Sequence, residues 1–146
     1  MKQITLALLC GLTLLSCDFR RKDKIADDGA KITEQALKDS TTVEIIDSVY
    51  NFGTVVEGEK VEYSYRFKNT GTKPLVIITA SGSCGCTVPQ RPEKPIMPGE
   101  TGFIKVVFNS KGRVGPNEKH VTITSNAKPE FQQLLLKGEV LGKAKQ

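Results

Sequence analysis

Tryptophan is absent from this 146-residue chain, and histidine and methionine are scarce, with one and two copies. A single histidine rules out a histidine-rich metal centre, and the missing tryptophan argues against the core of an antibody-type domain. Charge of one sign is not in excess: 21 basic residues face 16 acidic ones, a net charge of +5. The basic residues are spread along the chain rather than clustered, which excludes a nucleic-acid footprint. No stretch keeps a helical period for ten residues or more, so a helix bundle is excluded as well. A nucleophile elbow, a phosphate loop and a paired-carboxylate signature are all missing, and no enzymatic activity is expected.

Cysteine is sparse and unevenly placed, at Cys10, Cys17, Cys84 and Cys86. The first two belong to the start of the chain. After Lys2, the uncharged run Ile4 to Leu15 has 12 residues, about 18 Å of helix against a bilayer core of about 30 Å. That length reads as a signal peptide over 1–16 rather than a membrane span. Leu14-Leu15-Ser16-Cys17 resembles a bacterial lipobox, so Cys17 is the expected lipidation site and the first residue of the mature chain. Lys2 is the only charge removed, which leaves a net +4.

Residues 17–42 read as a lipidated cysteine followed by a flexible linker. Asp18 to Thr42 carries six acidic and six basic residues and few large apolar ones. As a coil of 25 residues it would reach about 27 Å, enough to hold a domain away from a membrane. Ala30 to Lys38 has the makings of a turn or two of helix, with nothing evident to hold it. The localisation that follows is the bacterial cell envelope, anchored by lipid to the inner or outer membrane.

From Val43 the period becomes two. Val61, Tyr63, Tyr65 and Phe67 alternate with Glu62, Ser64, Arg66 and Lys68, the mark of a half-buried strand. Leu75 to Thr79 is short, apolar and β-branched, which suits a central strand. Ile104, Val106 and Phe108 form another inward row; Val121 and Ile123 alternate with threonines; Leu134, Leu136 and Val140 share a face. Val43 to Ile46 and Thr54 to Val56 are weaker candidates. About seven short strands over 43–142, with 143–146 as a tail, predict an all-β, immunoglobulin-like antiparallel sandwich. Pro89, Pro92, Pro95 and Pro98 lie three apart, so Thr87 to Gly99 reads as an extended, polyproline-like crossing segment.

The chemistry left in the mature chain is Ser83-Cys84-Gly85-Cys86-Thr87. The two thiols can bond to each other, share a soft metal ion, or stay reduced as small apolar groups. In a flat strand, residues two apart lie about 6.6 Å from each other, near the upper limit for a disulfide. Closure therefore needs a bend, and Gly85 is the residue expected to supply it. A three-residue ring removes only about 1.6 kcal/mol of unfolded-chain entropy, so the pair is a poor structural staple. Reduced, it suits Cu(I), whereas structural zinc wants four ligands. Met97 is a candidate third ligand with core filling as its alternative, and His120 reads as a solvent-facing strand residue.

Asn51-Phe52-Gly53-Thr54-Val55, Phe67-Lys68-Asn69-Thr70-Gly71, the Cys-Gly-Cys centre, Pro98-Gly99-Glu100 and Lys137-Gly138-Glu139-Val140 follow one another in this order. The set resembles the bacterial domain of unknown function 1573, over about Val43 to Val140. The resemblance implies an immunoglobulin-like module, often found in lipoproteins, and implies no activity. The expected function is a tethered binding or scaffold module with an unknown protein partner, a membrane contact through lipid, and no required cofactor. The alternative is a Cu(I) or thiol-disulfide site at Cys84 and Cys86.

Overall fold

The computed structural model describes residues 34–144. The signal peptide, Cys17 and the linker as far as residue 33 lie outside the described residues. Eight strands follow in order: β1 (Val43–Ile45), β2 (Val49–Val56), β3 (Lys60–Asn69), β4 (Ile77–Gly82), β5 (Thr87–Gln90), β6 (Thr101–Asn109), β7 (Gly115–Ser125) and β8 (Leu134–Leu141). They form two four-stranded sheets, one in the order β1-β3-β6-β5 and the other β2-β8-β7-β4. Every pairing is antiparallel except β2 with β8, which is parallel. The expected sandwich is therefore present, with one more strand than the sequence periodicity marks out.

The alternation in β3 puts Val61, Tyr65 and Phe67 inside and leaves Glu62, Ser64, Arg66 and Lys68 outside. Facing them in β6, the inward residues Ile104, Val106 and Phe108 are fully buried. Tyr63 is half-buried and stacks on Tyr50 of the opposite sheet, with ring centroids 3.8 Å apart. Tyr65 crosses the core to donate its hydroxyl to the carbonyl of Leu135 at 2.7 Å. Burial pushes this phenol well above its ordinary pKa, and the nearby Tyr63 and Tyr50 add to the shift. The two sheets are thus joined by ring stacking and a part-buried hydrogen bond as well as by aliphatic packing.

Three expectations need correcting. Leu75 to Thr79 is not a central strand: Leu75 makes an isolated bridge to Ile96, and β4, from Ile77, is an edge of its sheet. Its apolar character comes from lying under the 91–97 segment, where Arg91 also donates to the carbonyl of Ile77 at 3.1 Å. Thr87 to Gly99 is not a crossing segment throughout, because its first four residues form β5. Pro89 is accommodated because β5 is an edge strand, where a missing ladder donor costs little.

The third correction concerns the linker. Residues 34–38 form a single helical turn, and Ala36 is only 1% exposed. Asn126 holds this segment by donating its amide to the carbonyls of Ala36 at 2.7 Å and Asp39 at 3.0 Å. Thr41 is buried, bridges to Ala127, and donates its hydroxyl to Asn69 at 2.9 Å. A flexible linker reaching residue 42 is therefore not what the structure shows over 34–42. Two asparagines distant in sequence supply the grip that the segment's own composition lacks.

Candidate functional site

Cys84 and Cys86 sit where the chain leaves one sheet for the other. Strand β4 ends at Gly82 on the edge of the second sheet, and β5 begins at Thr87 on the edge of the first. The four residues between them turn tightly, with the amide of Thr87 donating to the carbonyl of Cys84 at 3.1 Å. Outside the turn, the amide of Ser83 donates to the carbonyl of His120 at 2.8 Å, and the amide of His120 returns a bond to Oγ of Ser83 at 3.2 Å. The amide of Asn109 donates to the carbonyl of Cys86 at 2.9 Å. Both flanks of the corner are thus fixed by backbone bonds to neighbouring strands.

Within that frame the two sulfurs are bonded to each other, across Cα atoms 5.3 Å apart. The turn shortens the separation from that of a flat strand and brings it inside the range for disulfides. Gly85 does not achieve this by an unusual backbone. It is not among the glycines with positive φ, and a Cβ added to it would meet nothing within 4 Å. The glycine that the geometry requires is Gly82, where a Cβ would collide with the backbone carbonyl and the side chain of Thr87. Sequence spacing drew attention to the glycine between the cysteines; the close approach of two edge strands singles out the one before them.

Both cysteines are half-exposed, but they are not equivalent. Cys86 packs against the hydrophobic core and Cys84 does not. Thr87 is 3% exposed, and its Oγ1 lies 3.6 Å from Sγ of Cys84 and 3.8 Å from Sγ of Cys86. Bonded sulfurs carry no proton, so the hydroxyl is the donor, its one proton shared between them. Phe108, which pairs with Thr87 in the ladder, has the Lys119 ammonium over its ring at 5.8 Å.

The remaining candidates are distributed as follows. His120 lies in β7 with its side chain half-exposed and paired with Glu118 at 3.2 Å, and its backbone clasps Ser83 next to the cysteines. That adjacency was not legible in sequence, where 34 positions separate His120 from Cys86. Met97 is exposed and sits at the other end of the sandwich, in the turn that bonds to Asn69, so it neither joins the cysteines nor fills the core. A bonded pair offers no thiolate, so Cu(I) at Cys84 and Cys86 would require their reduction. Among the described residues no three His, Cys, Asp or Glu side chains come together as a metal cluster. Cys17, the lipidation candidate, lies outside the described residues.

Two four-stranded sheets packed face to face, with the first strand in one and the second in the other, define an immunoglobulin-like β-sandwich. Residues 43–140 match the model of a family described as "Protein of unknown function (DUF1573)", and the chain belongs to that family. Among solved structures it is similar to a protein of unknown function from Porphyromonas gingivalis W83, with a TM-score of 0.62 at 14% identity, covering 69% of this chain and 47% of that one. The chain therefore spans about half the length of that neighbour. It is also similar to the ASH / PapD-like domain 7 of human CEP192, with a TM-score of 0.55 at 18% identity, covering 72% of this chain and 89% of that domain. At these identities the likeness is one of fold. No curated protein matches the chain in sequence.

Proposed function

We propose that the protein is a non-enzymatic binding module of the bacterial cell envelope, tethered by lipid on Cys17 and recognising a protein partner. The observation that carries this reading is the outer face of the first sheet. Phe103 is 52% exposed on the interior strand β6, and Val88 on β5 is 54% exposed. Val88 pairs with Val107, and Phe103 pairs with Arg66, so both apolar groups stand on the outer face of the sheet with Lys105 between them. Large apolar groups on a sheet face cost solubility and mark a contact surface.

The charges on this face favour a protein as occupant. Lys105 is paired with Glu62 at 2.7 Å, and Arg66 with Asp47 at 2.7 Å. Cations already neutralised by neighbours are poorly placed for phosphates, whereas an aromatic anchor beside two paired charges suits a protein interface. Among the described residues no helix is long and apolar enough to cross a membrane, and in this reading the anchor is the lipid.

A photo-crosslinking residue at position 103 or 88, in cells, tests the surface against a control at Thr122 on the outer face of the second sheet. The expected result is a protein adduct of one size from the first two positions and none from the third. Equal labelling from all three, or none, would refute the assignment. In the same cells Cys17→Ala should move the protein to the soluble fraction, and retention on membranes after a high-salt wash would refute the lipid anchor.

A further inference from the structure

We propose that the Cys84–Cys86 bond is a reversible thiol–disulfide exchange site that accepts electrons from an external dithiol, with attack falling on Sγ of Cys84. The first support is that the corner does not depend on the bond. The amides of Ser83, Thr87 and Asn109 hold the turn through the carbonyls of His120, Cys84 and Cys86, and none of these contacts involves sulfur. Breaking the S–S bond leaves the two Cα atoms near 5.3 Å, still within bonding range, so the reduced pair is poised to close again. A disulfide that closes a three-residue ring also restricts the unfolded chain very little, which leaves it open to reduction without unfolding.

The second support is the asymmetry of the two sulfurs. Cys86 rests on the core and Cys84 does not, whereas the buried hydroxyl of Thr87 reaches both sulfurs, at 3.6 Å from Cys84 and 3.8 Å from Cys86, so the core contact alone separates them. An incoming thiolate forms a bond to Sγ of Cys84 as the Cys84–Cys86 bond breaks. Sγ of Cys86 leaves with the bonding pair as a thiolate and takes the hydrogen bond from Oγ1 of Thr87. The second thiolate of the dithiol then attacks its own first sulfur in the mixed disulfide, closing the external disulfide and releasing Cys84 as a thiolate. Two electrons have passed to the pair, and Cys84 and Cys86 take up two protons from water.

The test uses the mature chain, with acid quenching, alkylation and mass spectrometry to count free thiols over time. Dithiothreitol should reduce the pair while the circular dichroism of the fold is retained. Reduced thioredoxin serves as a second probe: reduction by both identifies a protein dithiol as an acceptable source, and reduction by dithiothreitol alone restricts the site to small thiols. Thr87→Val should slow reduction about tenfold, the weight of one hydrogen bond to a charged acceptor, and Thr87→Ser should restore it. The single thiol left in Cys86→Ser should form a mixed disulfide with oxidised glutathione faster than the one left in Cys84→Ser. Resistance to both probes until the fold is lost would overturn the proposal. Equal reactivity of the two single-cysteine variants, with no effect of Thr87→Val, would overturn the assigned direction of attack.

Discussion

Deleting residues 34–40 and replacing Asn126 with alanine should each destabilise the domain, and the two losses should not add. The amide nitrogen of Asn126 donates to the carbonyls of Ala36, Asp39 and Pro74, and its Oδ1 accepts from the amide of Val76 at 2.8 Å. Asn126→Ala removes all four contacts and leaves the amide of Val76, a buried residue, without its partner. At about 1 kcal/mol for each of the three donated bonds, with about 1–3 kcal/mol for the orphaned buried donor, the expected loss is about 4–6 kcal/mol. Deletion removes two of the acceptors and uncovers the Ala36 methyl, but spares the bonds to Pro74 and Val76. Its expected cost is about 2 kcal/mol. The shared bonds then predict a coupling of about 1–2 kcal/mol in a double-mutant cycle, read from urea unfolding of the mature chain. A coupling below about 0.5 kcal/mol would show that the 34–40 segment is not held by Asn126, and would restore the picture of a free linker.

Two further outcomes follow from geometry already described. Gly82→Ala should cost about 1–3 kcal/mol in thermal or urea unfolding, because the new methyl meets the backbone of Thr87, whereas Gly85→Ala should stay within about 0.5 kcal/mol. Equal costs would mean the corner is shaped by Gly85 after all. The Asp47 carboxylate is held below the ordinary 3.8 by its hydrogen bonds from the Arg66 side chain, despite some opposing burial. A depressed carboxylate pKa contributes stability above the unfolded value, and that contribution is lost as pH falls below about 3.8 through the lower folded value. Asp47→Asn should therefore flatten the acid limb of a stability-versus-pH curve below pH 4, by a small amount because its Arg66 partner is exposed. An unchanged acid limb would count against the pair.

The fold was legible wherever side chains alternate against one core. Strands β3 and β6 are marked by Val61 to Phe67 and Ile104 to Phe108, since inward and outward positions differ sharply in polarity. Strand β5 was obscured by Pro89, which reads as a break unless one knows that the strand is an edge. Leu75 to Ile77 gave a misleading signal, because burial under a crossing segment leaves the same apolar mark as burial in a sheet centre. The docking of the 34–41 segment was invisible for a different reason. It depends on Asn69 and Asn126, whose partners are mostly backbone atoms, and backbone atoms leave no trace in a pattern of side chains. The cysteine pair could be singled out by spacing alone, but its closure could not, since that depends on a four-residue turn held by His120 and Asn109.

The parallel pairing of β2 with β8 gives this domain a mechanical character. Thr41 enters beside Asn69 at one end of the sandwich, and Leu141 leaves beside Val56 at the other. A pull applied between these two points draws β2 and β8 in opposite directions along their common axis. The ladder that sets Tyr50 beside Leu136 and Val55 beside Val140 then bears load along its whole length, in shear, rather than opening one bond after another like a zipper. The same pull slides β1 along β3, again across its bonds and not away from them. Before either ladder is strained, the load must dislodge the 34–41 segment from Asn126 and Asn69, so this clasp acts as a release that yields first. A domain pulled between these two ends would in this way resist stretching along its length while remaining easier to peel open from the side.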